Sequence, residues 1–175
     1  MTAILIYSDQ DGFALELAAA ARSLAPDQLK AVTVNNDAQA QVLADAGVDV
    51  LKINNDGIVL ADVAVVAAVL AQAAEKANAD VILLTSNRRG KELSGRLAQL
   101  TGAGCLTDVS HITAEGGNIQ GRRNALGGAT VAMQAINTDK KVFALMPRSF
   151  EPASGSGGSM EDLVVNIPAA SVKLV

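Results

Sequence analysis

The chain has 175 residues and a formal net charge of -4, with 50% of its residues apolar, 18% charged and only 2% aromatic. That length is one domain on a prior of roughly 100–200 residues per domain, and the balance of apolar to charged residues excludes a disordered segment. Scarce aromatics and an acidic balance exclude a base-stacking nucleic-acid binder, and the single cysteine, Cys105, excludes a disulfide framework or a cysteine-built zinc or iron–sulfur site within one chain.

The amino terminus lacks the basic flank and long apolar run of a signal peptide and reads as a first strand, Ala3–Ser8. Cytoplasmic residence is the expectation that follows. Further strands are expected at Leu29–Val34, Val48–Ile53 and Asp80–Thr85, and helices at Phe13–Ala25, Asp37–Ala46, Val59–Ala77 and Lys91–Leu100. Strands separated by single helices cannot pair as hairpins, so they predict a parallel sheet with right-handed crossovers. The fold class is therefore α/β, three-layered, with helices on both faces of the sheet. The most apolar stretch, Ile58–Ala74, is interrupted by Asp62 and Gln72. It falls short of the roughly 20 apolar residues of a membrane span and reads as a buried helix.

After Gly102 the pattern changes. Cys105–Thr113, Ile119–Arg123, Ala129–Ile136 and Lys141–Met146 are short extended runs joined by Gly116-Gly117, Gly127-Gly128 and Asn137-Thr138-Asp139. Those turn residues favour antiparallel pairing, so residues 1–150 are expected to form one α/β unit with a β-rich antiparallel extension. Residues 151–160 are rich in Gly and Ser and read as a flexible linker. Residues 161–175 form a short C-terminal extension, with strands expected at Leu163–Ile167 and Ser171–Val175.

Charge is unevenly spread. Residues 1–80 hold 4 basic and 11 acidic side chains, whereas residues 81–150 hold 9 basic and 4 acidic. A locally positive middle third attracts phosphate or an acidic partner surface, or is simply a solvated helix face.

The strongest local feature is the apolar run 81–84 leading through Thr85 into Ser86-Asn87-Arg88-Arg89-Gly90-Lys91 and then a helix. Ligands in open α/β sheets sit at the carboxyl ends of strands, and a helix N-terminus beside Lys or Arg is an anion site. Ser86 or Asn87 can equally cap the helix. The segment is not a P-loop: Thr85 stands where the first Gly belongs, and Glu92 follows Lys91 where Ser or Thr would hold magnesium. Gly102-Ala103-Gly104 lacks the third glycine of a dinucleotide fingerprint and follows a helix. Cys105 and His111 lie about 20 Å apart on one extended strand and cannot form a dyad. Asp9 and Asp11 read as helix caps rather than a cation site. No catalytic residues and no metal ligands are assigned.

Three ordered segments resemble a known family. Leu84 through Ala98 is similar to the strand–loop–helix of electron transfer flavoprotein alpha subunits, with a Gly-Lys and a helix ending Arg-Leu-Ala. Gly102-Ala103-Gly104-Cys105-Leu106-Thr107-Asp108-Val109 resembles that family's Gly-Ala-Gly-Leu-Val-Thr-Asp-Val stretch. Arg123 through Gly128, and Val142 through Ala153, resemble its Arg-x-x-Tyr-Gly-Gly-x-Ala strand and closing Pro-Gly-x-Phe-Glu-Pro-Ala. The Asn-Arg-Arg-Gly-Lys and Gly-Gly versions are closest to the branch associated with carnitine metabolism and nitrogen fixation. Leu126 stands where Tyr is usual and Ser149 where Gly is usual.

The resemblance implies the family's amino-terminal domain, of adenine-nucleotide-hydrolase-like fold, in a flavin-linked electron carrier built as an alpha–beta heterodimer. It implies FAD in the complete complex, held chiefly by a carboxyl-terminal domain that nothing in this chain matches. The implied partners are a beta-type subunit, a separate flavin domain and a dehydrogenase; nucleic acid and a membrane are not among them, and a homo-oligomer is left open. Ser86, Asn87, Arg88, Arg89, Gly90 and Lys91, with Arg96, Arg122 and Arg123, are the residues placed near a phosphate or partner interface. The alternatives are a stand-alone adenine-nucleotide or sensor module of the same fold, and a structural interaction domain with a lost ligand site.

Overall fold

The computed structural model describes residues 2–170 and 172. In its first part β1 (Ala3–Tyr7), α1 (Asp11–Ser23), β2 (Gln28–Val34), α2 (Asp37–Asp45), β3 (Asp49–Ile53), α3 (Val63–Lys76), β4 (Val81–Thr85) and α4 (Arg88–Thr101) follow in strict alternation. β5 (Gly104–Glu115), β6 (Asn118–Ala125), β7 (Thr130–Ala135), β8 (Lys141–Leu145) and β9 (Met160–Asp162) complete it. The strands form one sheet in the order β7-β6-β5-β8-β4-β1-β2-β3-β9. Only the β5–β6 and β6–β7 pairs are antiparallel.

The expected α/β class with a mostly parallel sheet is what the chain adopts. β4, Val-Ile-Leu-Leu-Thr, is buried at every position, as a strand covered on both faces must be. One face carries α1 and α2 over Ile4, Ile6, Leu83 and Phe143; the other carries α3 and α4 over Leu5, Val32, Ile82 and Val142. Alanines on α1 and α3, among them Ala18, Ala20, Ala67 and Ala73, are fully buried, so the helices approach the sheet closely. No described helix is long and apolar enough to cross a membrane.

Helix boundaries follow their caps. α3 begins at Val63 rather than Val59 because the buried Asp62 accepts from the Val65 N–H at 3.3 Å. α4 begins at Arg88 rather than Lys91 because Asn87 Oδ1 accepts from the Gly90 N–H at 2.7 Å. Gly102 closes α4 in the left-handed conformation at φ 66°, the usual C-terminal stop.

The turn at Asn137-Thr138-Asp139 does not make a hairpin. β8 instead returns between β4 and β5 and runs parallel to both. Its apolar run 142–145 is buried throughout, which requires a central place in the sheet and not an edge. Thr138 Oγ1 anchors the return by accepting from the Gly104 N–H at 2.7 Å. The other two glycine turns do produce the antiparallel β5–β6–β7 extension.

The Gly/Ser segment differs from a flexible linker. Residues 151–159 have no helix or strand, yet they lie against α1 and α2 as a strap, and Met160 already belongs to β9: the Ala153 N–H donates to the Leu15 carbonyl, the Gly158 N–H donates to the Ala44 carbonyl, and Arg22 donates to the carbonyls of Ser154 and Ala46. A Cβ at Gly155 would stand 2.5 Å from Ala46 O, and one at Gly158 2.3 Å from Val48 O. These glycines serve close backbone approach, which composition cannot distinguish from flexibility. The strap delivers β9 onto β3 in parallel register. The expected strand at Leu163–Ile167 does not form; there Asn166 and Gln72 exchange two hydrogen bonds on the α3 side. The strand expected at 171–175 lies outside the described residues, except Val172, whose N–H donates to Asp62 Oδ2 at 3.0 Å.

Candidate functional site

Strand order reverses at β1. The chain leaves β1 toward β2 on one side and returns through α3 to β4 on the other, so the carboxyl ends of β1 and β4 flank the crevice where open α/β sheets bind ligands. Tyr7 ends β1 and Ser8 and Asp9 follow it, while Thr85 ends β4, Asn87 caps α4, and Arg89 and Gly90 lie in its first turn.

The crevice is closed by its own side chains. Arg89 Nη1 lies 2.5 Å from Asp9 Oδ2, Asn87 Nδ2 donates to Asp9 Oδ1 at 3.4 Å, and Thr85 Oγ1 donates to Ser8 Oγ at 3.0 Å. The space left is about 10 Å³, room for one water at most. Burial, reinforced by the negative charge of Asp9, pushes the Tyr7 hydroxyl far above the ordinary phenol range, so it stays neutral. Asp9 is thus a counter-ion and not a cap; the residue at the start of α1 is Gln10, whose side chain makes no capping bond, and Asp11 lies in the first helical turn.

A second polar cluster forms where α4 meets β5. Asp108 adopts a left-handed φ of 58° within the register shift between Leu106 and Val109. Ser86 Oγ accepts from the Asp108 N–H and donates to Asp108 Oδ1, both at 3.1 Å, and Lys91 Nζ reaches the same oxygen at 2.6 Å. Desolvation, the largest single influence on Asp108, pushes its carboxyl up. The bonds from Lys91 and Ser86 and the charges of Lys91 and Arg123 together outweigh it and hold the carboxyl below the usual range.

The structure therefore gathers the expected loop residues but assigns them to internal bonds. Asn87 is the cap, Ser86 and Lys91 hold Asp108, and Arg89 holds Asp9. Gly90 is required by packing, since a Cβ there would sit 1.8 Å from Thr85 O. Arg96 pairs with Glu92 one turn earlier at 3.1 Å. Arg88 and Arg122 are exposed, and Arg123 is half-buried with its charge acting on Asp108. Asp9 and Asp108 are the residues that sequence reasoning missed as functional partners. Asp108 lies inside the Thr107-Asp108 step of a segment already singled out, whereas the local pattern at Asp9 suggests a helix cap and carries no sign of a partner 80 positions away.

Other chemistry is sparse. Cys105 and His111 lie on the same strand, β5; burial pushes the Cys105 thiol up, and the His111 ring stacks on Phe150 at 6.2 Å. No group of three metal-ligating side chains occurs among the described residues. A groove of about 520 Å³ between α3, α4 and the segment at Pro168 and Ala169 is lined mostly by apolar residues, with Gln99 and Arg96 its polar side chains among the described residues.

Comparison with known proteins agrees with the three ordered segments. The family described as Electron transfer flavoprotein domain matches residues 6–171. The electron transfer flavoprotein subunit alpha of Mycobacterium tuberculosis (strain CDC 1551 / Oshkosh) is 36% identical over 105 residues, covering 59% of this chain and 31% of that protein. The protein of the same description from Mycobacterium leprae (strain TN) is 35% identical over 103 residues, covering 58% of this chain and 30% of its own length. The match thus spans less than a third of either relative.

Proposed function

The chain belongs to the electron transfer flavoprotein domain family, and we propose that it is the alpha-type amino-terminal scaffold of a flavin-linked electron carrier, working with a beta-type subunit in the cytoplasm. The observation that carries this reading is the closed crevice. A chain with the nucleotide-binding topology whose switch point holds about 10 Å³, plugged by Arg89 and Asp9, supports a scaffold whose redox group is held elsewhere in the complex.

FAD does not fit the crevice. The cations best placed for a pyrophosphate, Arg89 and Lys91, are taken by Asp9 and Asp108, and the backbone at Gly90 is packed against Thr85 rather than open to a ligand. In the complete complex the flavin supplies the electron chemistry, and this domain supplies orientation and electrostatics. The exposed Arg88 and Arg122 supply basic groups for an acidic face of the beta-type subunit, with a separate flavin domain and a dehydrogenase completing the electron path. The closed crevice speaks equally against a stand-alone adenine-nucleotide module.

Flavin fluorescence tests the proposal. FAD is titrated into the purified chain, into a beta-type subunit with a flavin domain, and into the mixture of all three. The expected result is no quenching by the chain alone and stronger quenching in the full mixture than without the chain. Unchanged quenching on adding the chain overturns the electron-transfer reading, and tight ATP binding by calorimetry, with no flavin effect, replaces it with the nucleotide module.

A further inference from the structure

Gly95 sits in the interior of α4, where glycine weakens a helix relative to alanine. Packing does not account for it: among the described residues, nothing outside its own helical turn lies within 4 Å of where its Cβ would stand. A side chain there would instead enter the groove that Gly95 lines between α3 and α4. The third wall of that groove is fixed in place. Asn166 exchanges hydrogen bonds of 2.7 and 2.8 Å with Gln72, Ile167 packs against the core beneath α3, and the Val172 N–H donates to Asp62 Oδ2, so Pro168 and Ala169 are held from both sides. The space of about 520 Å³ therefore exists before any ligand arrives, and it falls within the roughly 300–1,000 Å³ of small-molecule sites.

We propose that this groove binds a free apolar carboxylate, with its anionic end on Arg96 and Gln99 and its hydrocarbon over Ala64, Ala68 and Leu100. The charge of the lining selects the sign of the ligand: Arg96 is its cation, and no acid stands among the described lining residues. Arg96 gives Nε to Glu92 at 3.1 Å, an exposed pair of the kind that contributes little. The Nη edge of its donor fork remains for a planar anion. The reach of the groove decides against a docked helix. Its lining runs from Ala64 to Ala68 on α3 and from Gly95 to Leu100 on α4, about 6–8 Å at ~1.5 Å per residue. Helix-in-groove recognition spreads its anchors from i to i+7, about 10 Å. The inference does not depend on the flavin reading, since it draws on no residue of the crevice.

The test follows amide shifts of the full chain, labelled with nitrogen-15, on adding octanoate, butanoate or octylammonium. Octanoate is expected to shift amides within 64–68 and 95–100 and to bind at least tenfold tighter than butanoate, since each fully buried methylene is worth about fourfold. Octylammonium should leave those amides unmoved. Arg96→Gln should weaken octanoate about threefold, the scale of a half-exposed ion pair, with an unchanged thermal midpoint. Gly95→Leu should fill the groove and abolish the shifts. The proposal is overturned by absence of shifts at millimolar octanoate, by equal binding of octylammonium, or by undiminished binding to either variant. Arg96-dependent co-sedimentation with phosphatidylglycerol vesicles overturns it as well, because it would assign the arginine to a lipid surface instead.

Discussion

Arg89 in the first turn of α4 is bonded to Asp9, two residues beyond β1, 2.5 Å across the crevice, and so ties together the carboxyl ends of the two strands that flank the switch point. Asp9 is the more enclosed partner, at 16% side-chain exposure against 43% for Arg89. Removing the arginine alone strands a carboxylate, whereas removing both charges does not. In a cycle of Arg89→Gln and Asp9→Asn, measured by urea unfolding, a coupling of about 1 kcal/mol is expected, at the upper end for partly exposed pairs. Strict additivity would remove the lock.

Gly90 and Gly95 lie five positions apart on α4 and should respond in opposite directions to alanine. At Gly90 the new Cβ meets Thr85 O at 1.8 Å, a backbone atom that cannot step aside; at Gly95 nothing stands within 4 Å. Gly90→Ala is expected to lose about 3 kcal/mol or more, the upper range of overpacking. Gly95→Ala is expected to gain about 0.4–1 kcal/mol through the unfolded chain. Thermal unfolding of both variants decides it, and a tolerated Gly90→Ala would return this glycine to a ligand-binding role.

Acid sensitivity should trace to Asp49 and Asp108. Hydrogen bonds from the Ser159 hydroxyl and then its N–H lower the Asp49 carboxyl, and Asp108 is lowered against its desolvation by Lys91 and Ser86. A folded-state value below the unfolded one gives stability that is complete above the ordinary carboxylate pKa of about 4 and lost as pH falls through the depressed value. The midpoint temperature should therefore fall between roughly pH 5 and the acid limit. Asp49→Asn and Asp108→Asn should each flatten that slope, and an unchanged slope in both would assign acid sensitivity elsewhere.

Strap substitutions separate a packed segment from a loose one. Gly158→Ala drives a Cβ to 2.3 Å from Val48 O and 2.8 Å from Ala44 O. It should cost about 1–3 kcal/mol and speed protease cleavage within 151–159 under native conditions. A flexible linker would accept alanine without either effect.

How much was legible in the sequence depends on the range of the interaction. Val81–Thr85 announces a buried parallel strand from its own residues, and the loop after it carries the densest run of polar and basic residues along the chain. Its closure was not legible, because Asp9 and Asp108 stand 80 and 17 positions from the cations they neutralise. The strap is not legible for a different reason: glycine is chosen both where a backbone is free and where two backbones nearly touch. β8 shows the limit of turn chemistry, since Asn137-Thr138-Asp139 has hairpin residues, but burial of Val142 and Phe143 at 0% exposure governs where the strand must lie.

The position of β8 also sets an order of assembly. Its residues, 141–145, fill the gap between β4, complete by residue 85, and β5, which begins at residue 104. Until they leave the ribosome, the nascent β4 has an open flank and the β5–β6–β7 hairpins have no sheet to join. Synthesis at about 5–20 residues per second makes this a wait of several seconds for the amino-terminal half. The non-local pairing of β8 then joins both halves in one late step, of the kind that slows folding.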